Sequence, residues 1–379
     1  MPVIYSETRK GEDKMNQLLS PIRIGTMELK NRIVMAPTSM ILSLEEKIDF
    51  LGRVADGGAA LIYIGDMGVE YIPNMKSDIN LFTPNGLEGC RRIVERLHQG
   101  GAKAGAQLYL WDYDMEQYFA LAKSGATREE MSSFKNDHIE EYVTDMSLER
   151  VEEIIDHFAQ AAKAAKDVGF DMVQVLGGHV ISSFSSGYIN HRKDAFGGST
   201  EKRAALACEI VKAIRKEVGE DYPIEYKIPI HDDAVPCGQG GPELKELSVF
   251  VKQLEFAGVN AFQAAMGNRL NINDTVPPKS HADFKGEGCF LYISDVIKKY
   301  TNLPVSCAGK FSDPKKNQEC IESGRLDYIG MSRQLVADPE WVNKVADGKE
   351  DDITRCIFCN RGCLGSLLSR EKFHCVLWK

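Results

Sequence analysis

The sequence predicts an α/β fold, a (β/α)8 TIM barrel followed by a short cysteine-rich C-terminal segment. Three observations predict it. Eight short runs of apolar, β-favouring residues recur along the chain and are near-continuous rather than alternating, the pattern of parallel strands covered on both faces. The segments between them carry helix start and stop signals. No Gly-x-Gly-x-x-Gly follows the first run, which argues against a doubly wound, dinucleotide-binding opening.

The runs are Ile33–Pro37, Ala60–Gly65, Lys103–Leu108, Asp171–Leu176, Ile224–Ile228, Ala261–Ala265, Pro304–Ala308 and Tyr328–Met331. A helix is expected over Ser147–Val168, opening with a serine cap and acids in its first turn and closing at Gly169. Glu201–Val218, Glu243–Ala257 and Asp313–Ser323 read the same way, with Gly219, Gly258 and Gly324 just past their ends. Leu110–Thr144 is polar, aromatic-containing and weakly periodic, a long excursion over one face of the barrel. Residues 1–350 are expected to form the barrel and 351–379 the cysteine-rich segment.

With 379 residues the chain can bury a large core, as one big barrel or two ordinary domains. A net charge of -9 argues against a nucleic-acid partner and against anionic membranes. No run approaches the roughly 18 apolar residues of a membrane helix, and Met1–Lys14 lacks the apolar core of a signal peptide. A reducing cytoplasm is therefore expected for the ten cysteines. Cys90, Cys208, Cys237, Cys289, Cys307 and Cys320 are scattered and read as small buried apolar residues.

In a barrel of this kind the chemistry sits at the C-terminal ends of the strands, with a phosphate site often after the last two. Here those ends carry Gly309-Lys310 and Ser332-Arg333: glycine for close backbone approach, cations for charge. Gln107 and Lys227 face the mouth from the third and fifth runs. His179 lies just past the fourth, where it can bond a carbonyl oxygen or serve the structure. Asn190, Arg192 and Asp194 read as a polar network fixing the following loop, and His231-Asp232-Asp233 as a solvated turn. The spacing Cys356-x-x-Cys359-x-x-x-Cys363, followed by eleven residues and then Cys375, suits four-thiolate ligation of an iron–sulfur cluster or of tetrahedral zinc. Four unrelated buried cysteines are the blander alternative.

The stretch Leu19–Pro37, the segment Gly169–Val175, the pattern Asn190-x-Arg192-x-Asp194-x-Phe196-Gly-Gly-Ser199 and Met331-Ser332-Arg333 resemble the old yellow enzyme family of FMN-dependent oxidoreductases. The resemblance runs from about residue 17 to 375. The cysteine spacing is similar to that of its iron–sulfur branch, which includes 2,4-dienoyl-CoA reductase, trimethylamine dehydrogenase and bile-acid-type enoate reductases. It implies FMN in the barrel mouth. Pro37, Thr38 and Ser39 would lie along the isoalloxazine, and Gln107 at its pyrimidine edge. Lys227 would stand where the family has arginine, and Gly309, Lys310, Ser332 and Arg333 would surround the phosphate. It further implies a [4Fe-4S] cluster on Cys356, Cys359, Cys363 and Cys375, with NAD(P)H as the indirect electron source.

The departures carry as much information. The branch's second-flavin domain has no counterpart in these residues, which points to a separate flavoprotein reductase as donor or to a shortened chain. The reductases' proton-donating tyrosine falls at Ile181, with Tyr188 as the substitute candidate. The first histidine of the carbonyl-binding pair is Leu176, the histidine of the sixth strand loop corresponds to Arg269, and the usual His-x-Gly-Arg is Leu110–Tyr113. The expected function is reduction of an activated C=C bond in a small molecule by hydride from FMN N5. His179 and Arg269 would hold the activating carbonyl and Tyr188 supply the proton. An amine dehydrogenase or demethylase and a non-catalytic electron-transfer subunit are the alternatives; a homo-oligomer is also expected.

Overall fold

The computed structural model describes residues 17–72, 77–231, 240–267 and 271–378. Two short strands, β1 (Ile22–Ile24) and β2 (Met27–Leu29), pair antiparallel, with Gly25 at φ +56° making the turn. Eight strands follow: β3 (Ile33–Met35), β4 (Leu61–Gly68), β5 (Lys103–Tyr109), β6 (Met172–Leu176), β7 (Ile224–Ile230), β8 (Ala261–Met266), β9 (Val305–Cys307) and β10 (Tyr328–Met331). They close in the order β10-β3-β4-β5-β6-β7-β8-β9, every neighbouring pair parallel. The fold is the (β/α)8 TIM barrel expected from the apolar runs, each of which coincides with one barrel strand.

The hairpin was not anticipated, and it has a clear task. Ile24, Met27 and Leu29 bury against Leu61, Met172, Ala261 and Tyr328, which lie at the starts of their strands, so the hairpin stoppers the N-terminal mouth. That leaves the opposite mouth for chemistry.

The capping signals hold at several helices. Ser147 caps Leu148–Asp167 by accepting from the Arg150 amide at 3.2 Å, and Asp313 caps Pro314–Glu322. Gly258 ends Leu247–Ala257 at φ +113°, a conformation that only glycine adopts without strain. Two expected helices are interrupted: Thr200–Arg203 is separate from Ala205–Val218, and Leu244–Glu246 is a 3-10 turn before Leu247–Ala257. Leu44–Asp56 and Pro84–Gln99 were not singled out in the sequence. The excursion holds three further helices, Met115–Lys123, Arg128–Asn136 and Ile139–Thr144. The first buries no residue, which is why its periodicity is weak: there is no core face to enforce it. No helix among the described residues is long and apolar enough to cross a membrane.

The cysteine-rich segment packs back onto the barrel. Phe373 and Trp378 meet the Phe50 ring at 6.1 and 5.6 Å between centroids, and Trp378 Nε1 donates to the Val336 carbonyl at 2.7 Å.

Candidate active site

At the C-terminal ends of the strands lies a cavity of about 130 Å³. Pro37, Lys227, Gly309, Lys310, Ser332 and Arg333, six residues from four strand ends, line it together. Parallel strands in one barrel end at one mouth, so residues up to 296 positions apart in sequence meet there. A Cβ on Gly309 would sit 3.2 Å from the backbone nitrogens of both Cys289 and Phe290, so a side chain there would crowd the cradle's wall. Thr38 and Ser332 share a hydroxyl–hydroxyl hydrogen bond of 2.7 Å at the rim, and Ser39 follows half-buried.

The cations differ in their company. Lys310 adopts φ +61° and gives its ammonium to the carbonyls of Phe284 and, at 3.4 Å, Pro278. Arg333 donates to the Pro277 carbonyl at 2.8 Å and to Asn360 Oδ1 at 2.7 Å, and lies over the Phe358 ring at 5.0 Å. The Lys227 ammonium makes no hydrogen bond among the described residues, although its backbone carbonyl accepts from the Gly177 amide at 2.9 Å. Burial pushes its pKa down, and the Glu225 carboxyl earlier on the same strand pulls it back. A partly buried ammonium at a cavity wall, with a carboxyl near it but no hydrogen-bond acceptor, is the kind of group that a polar ligand satisfies. Cradle, orphaned cation and flanking cations fit an anionic, heterocyclic cofactor such as FMN. Gln107 stands below the mouth, 7 % exposed, with Nε2 donating to Gln174 Oε1 at 2.6 Å.

Cys356, Cys359, Cys363 and Cys375 line one small void with Arg333 on its wall, so Arg333 borders both cavities. The loop is held in a demanding shape: Phe358 and Asn360, on either side of Cys359, have φ of +50° and +57°. Asn360 Nδ2 donates to the Val276 carbonyl at 2.6 Å, and the Phe358 carbonyl accepts from the Lys279 amide at 2.9 Å. Among the described residues no His, Cys, Asp or Glu trio closes on a point where one metal ion could sit, and none of the nine described cysteines is in a disulfide. Four thiols around one void are a donor set that an iron–sulfur cluster and a tetrahedral zinc ion both use. Of the scattered cysteines, Cys90, Cys208, Cys307 and Cys320 are buried and Cys289 partly so, while Cys237 lies outside the described residues.

A larger cavity of about 420 Å³ opens beside the ends of β4 and β5. Its walls include Tyr71, Phe82, Tyr109, Trp111, Tyr113 and Tyr142. Glu70 on its edge is bridged by Arg150 at 2.5 Å and by His157 at 2.9 Å. His179 packs against Trp111 at 4.3 Å and Tyr109 at 5.6 Å, and burial, with a smaller push from Lys135, lowers its pKa to about 4. It is therefore neutral at pH 7. Burial also holds the Tyr113 and Tyr142 phenols well above the usual range, so both stay protonated. The excursion Leu110–Thr144, read from the sequence as aromatic-containing, supplies Trp111, Tyr113 and Tyr142 of this wall, although none of them was singled out.

Tyr188 is 39 % exposed, its ring 5.0 Å from that of His231, and it lines neither cavity. Arg269, like Asp232 and Asp233, lies outside the described residues. The expected loop network is present: Asn190 Nδ2 donates to the carbonyls of Phe184 and Phe196, Arg192 binds Asp194, and Arg192 Nη1 donates to the Val143 and Met146 carbonyls.

Comparison with known proteins identifies the family and agrees with the fold. The model of the NADH:flavin oxidoreductase / NADH oxidase family matches residues 17–352. The chain is 39% identical over 371 residues to a bilirubin reductase of Clostridium symbiosum, covering 96% of this chain and 97% of that protein. It is 31% identical over 369 residues to a bilirubin reductase of Mediterraneibacter gnavus, covering 95% of this chain but 56% of the relative. A solved 2-naphthoyl-CoA reductase complex superposes with a TM-score of 0.78 at 24% identity, over 96% of this chain and 57% of that one. The chain thus spans nearly all of the first of these three proteins and little more than half of the other two.

Proposed function

Because the chain belongs to the NADH:flavin oxidoreductase / NADH oxidase family and is an FMN-dependent oxidoreductase, we propose that it reduces an activated C=C bond in an extended conjugated substrate, taking its electrons through a [4Fe-4S] cluster. In this reading the barrel, residues 1–350, holds FMN, and Cys356, Cys359, Cys363 and Cys375 in the segment 351–379 hold the cluster. The observation that carries it is the shared wall: Arg333 borders both the cradle at the barrel mouth and the void between the four thiols.

FMN bound there would supply a hydride from N5, with NAD(P)H as the remote electron source and a separate flavoprotein reductase as the route between them. Lys227 would meet the polar edge of the ring, while Arg333, Ser332, Lys310 and Gly309 would hold the phosphate end. Pro37, Thr38 and Ser39 would lie along the ring, and Gln107 would meet its pyrimidine side. Neutral His179 donates a hydrogen bond to the carbonyl that activates the double bond, a duty that Arg269 shares. Tyr113 keeps its proton at neutral pH and lines the substrate cavity, so it protonates the carbon next to that carbonyl. Tyr188 takes that role only if its side chain turns from His231 to the cavity.

The cavity of about 420 Å³ falls within the range of small-molecule sites, and its aromatic walls suit a flat, conjugated ligand. Together with the near full-length relative that bears the name bilirubin reductase, this makes a linear tetrapyrrole the first substrate to try. The test is to reduce the purified protein with dithionite without oxygen and add bilirubin, a simple enoate, or a tertiary amine. Reoxidation by bilirubin, with loss of its visible absorption, is the expected outcome. Reaction with neither alkene, or bleaching of the oxidised protein by the amine, would overturn the reading.

A further inference from the structure

The interior of the barrel holds a level of polar side chains that the reaction just described does not use. Strand register sets Gln107, Gln174 and Glu225 side by side on β5, β6 and β7. Gln174 and Glu225 are 0 % exposed. A barrel interior is normally filled by branched apolar residues, so a carboxyl here needs a reason.

The hydrogen bonds run in one sense. Gln174 Nε2 donates to Glu225 Oε2, and Gln107 Nε2 donates to Gln174 Oε1 at 2.6 Å. The second carboxyl oxygen of Glu225 accepts from the Tyr328 hydroxyl and, at 3.5 Å, from Ser306 Oγ. Burial pushes the Glu225 carboxyl up, while the Tyr328 and Tyr63 hydroxyls, the Gln174 amide and the Lys227 charge favour its ionised form, which offers only acceptors. Gln174 must therefore turn its NH₂ towards Glu225 and its carbonyl towards Gln107. Gln107 in turn gives its NH₂ to Gln174, and the oxygen of the Gln107 amide is the atom left over. Without Glu225 no other side-chain bond among the described residues chooses between the two orientations of either amide.

We propose that Glu225 is a positioning residue for the cofactor: acting through Gln174, it turns the Gln107 amide so that its oxygen, not its NH₂, is offered to the pyrimidine ring of the flavin. The inference rests on the reading that FMN binds at this mouth. An oxygen there accepts from the ring N3–H. An NH₂ would instead donate to a ring carbonyl and favour the reduced, negatively charged ring. Glu225 thereby holds the flavin potential down, two strands away from the atom it controls.

The test measures FMN dissociation constant and two-electron midpoint potential on the full chain loaded with flavin. Glu225→Leu and Gln174→Leu both cut the relay, so each weakens FMN binding about tenfold. Each also raises the potential by about 30 mV, the two-electron equivalent of a tenfold change. Gln174→Leu leaves Glu225 with Tyr328 and Ser306, so it serves if the Glu225→Leu chain fails to fold. Glu225→Gln keeps an acceptor for Gln174 and stays near the wild-type potential. In a Gln107→Leu background, Gln174→Leu produces no further shift. A Glu225→Gln shift as large as that of Glu225→Leu, or a Gln174→Leu shift that persists without Gln107, overturns the relay. Unchanged potentials in both leucine variants overturn it too. Wild-type protein that binds no FMN overturns the underlying reading instead, and the two failures are thus distinct.

Discussion

Arg333 Nη1 donates to the side-chain oxygen of Asn360 at 2.7 Å, tying the cation at the end of β10 to the loop that carries Cys359. The bond joins two regions that the sequence presents as separate, a barrel and a cysteine-rich tail. Arg333 borders the mouth cavity and the thiol-lined void, and its charge is answered by Asn360 in between.

Asn360→Ala removes the bonds to Arg333 and to the Val276 carbonyl while leaving a residue with a Cβ at φ +57°. Two lost hydrogen bonds at about 1 kcal/mol each, with left-handed strain added, loosen the loop around Cys359. Anaerobically prepared N360A is expected to lose iron in air about tenfold faster than wild type, followed by chelator assay. Equal rates would show that Asn360 does not brace the cysteine loop.

His179 gives a pH signature in stability. Its pKa is lowered from 6.5 to about 4 in the folded chain, chiefly by burial. Below pH 6.5 the unfolded chain takes up a proton that the folded chain refuses until about pH 4. This contribution is fully present above pH 6.5 and is lost as pH falls towards 4. His179→Phe should flatten the decline in urea midpoint across that window. An unchanged slope would mean that His179 is not buried against Trp111 and Tyr109.

Two tyrosines compete for the proton-donor role. Tyr113 lines the aromatic cavity, whereas the Tyr188 ring lies 5.0 Å from His231. Tyr113→Phe should lower turnover of the alkene by about a hundredfold with little change in KM, the usual worth of a positioned acid. Tyr188→Phe should stay within about twofold, well below that effect. The reverse ranking would give the role to Tyr188.

Ser147→Ala tests the local reading of the fold. The Ser147 side chain accepts from the Arg150 amide at 3.2 Å and opens the longest helix named above, Leu148–Asp167. Removing it should cost about 1 kcal/mol in urea denaturation, with activity retained. A neutral substitution would mean that tertiary packing alone sets this helix start.

Much of this architecture was legible in the sequence because the same physics wrote it twice. Strands covered on both faces are near-continuously apolar, so Ala261–Met266 and Met172–Leu176 announce themselves despite one glutamine in each. The hairpin Ile22–Leu29 did not, because two three-residue strands carry too little periodicity to read. The residues lining the mouth cavity followed from position: glycine and cations after the last two strands converge because parallel strands end together. The aromatic cavity depends on how three short helices fold over β5, and no local pattern encodes that. Glu225 was hidden for a different reason: a single acid within an apolar run reads as an exception, and its partners Gln174 and Tyr328 lie 51 and 103 residues away.

The most direct measurement of the central claim is a count of FMN and iron in protein purified without oxygen, read beside its visible spectrum. The account predicts about one FMN and four irons per chain, with a broad shoulder that Cys359→Ala abolishes while the flavin bands remain. Protein carrying flavin but zinc in place of iron, or no metal at all, would contradict it.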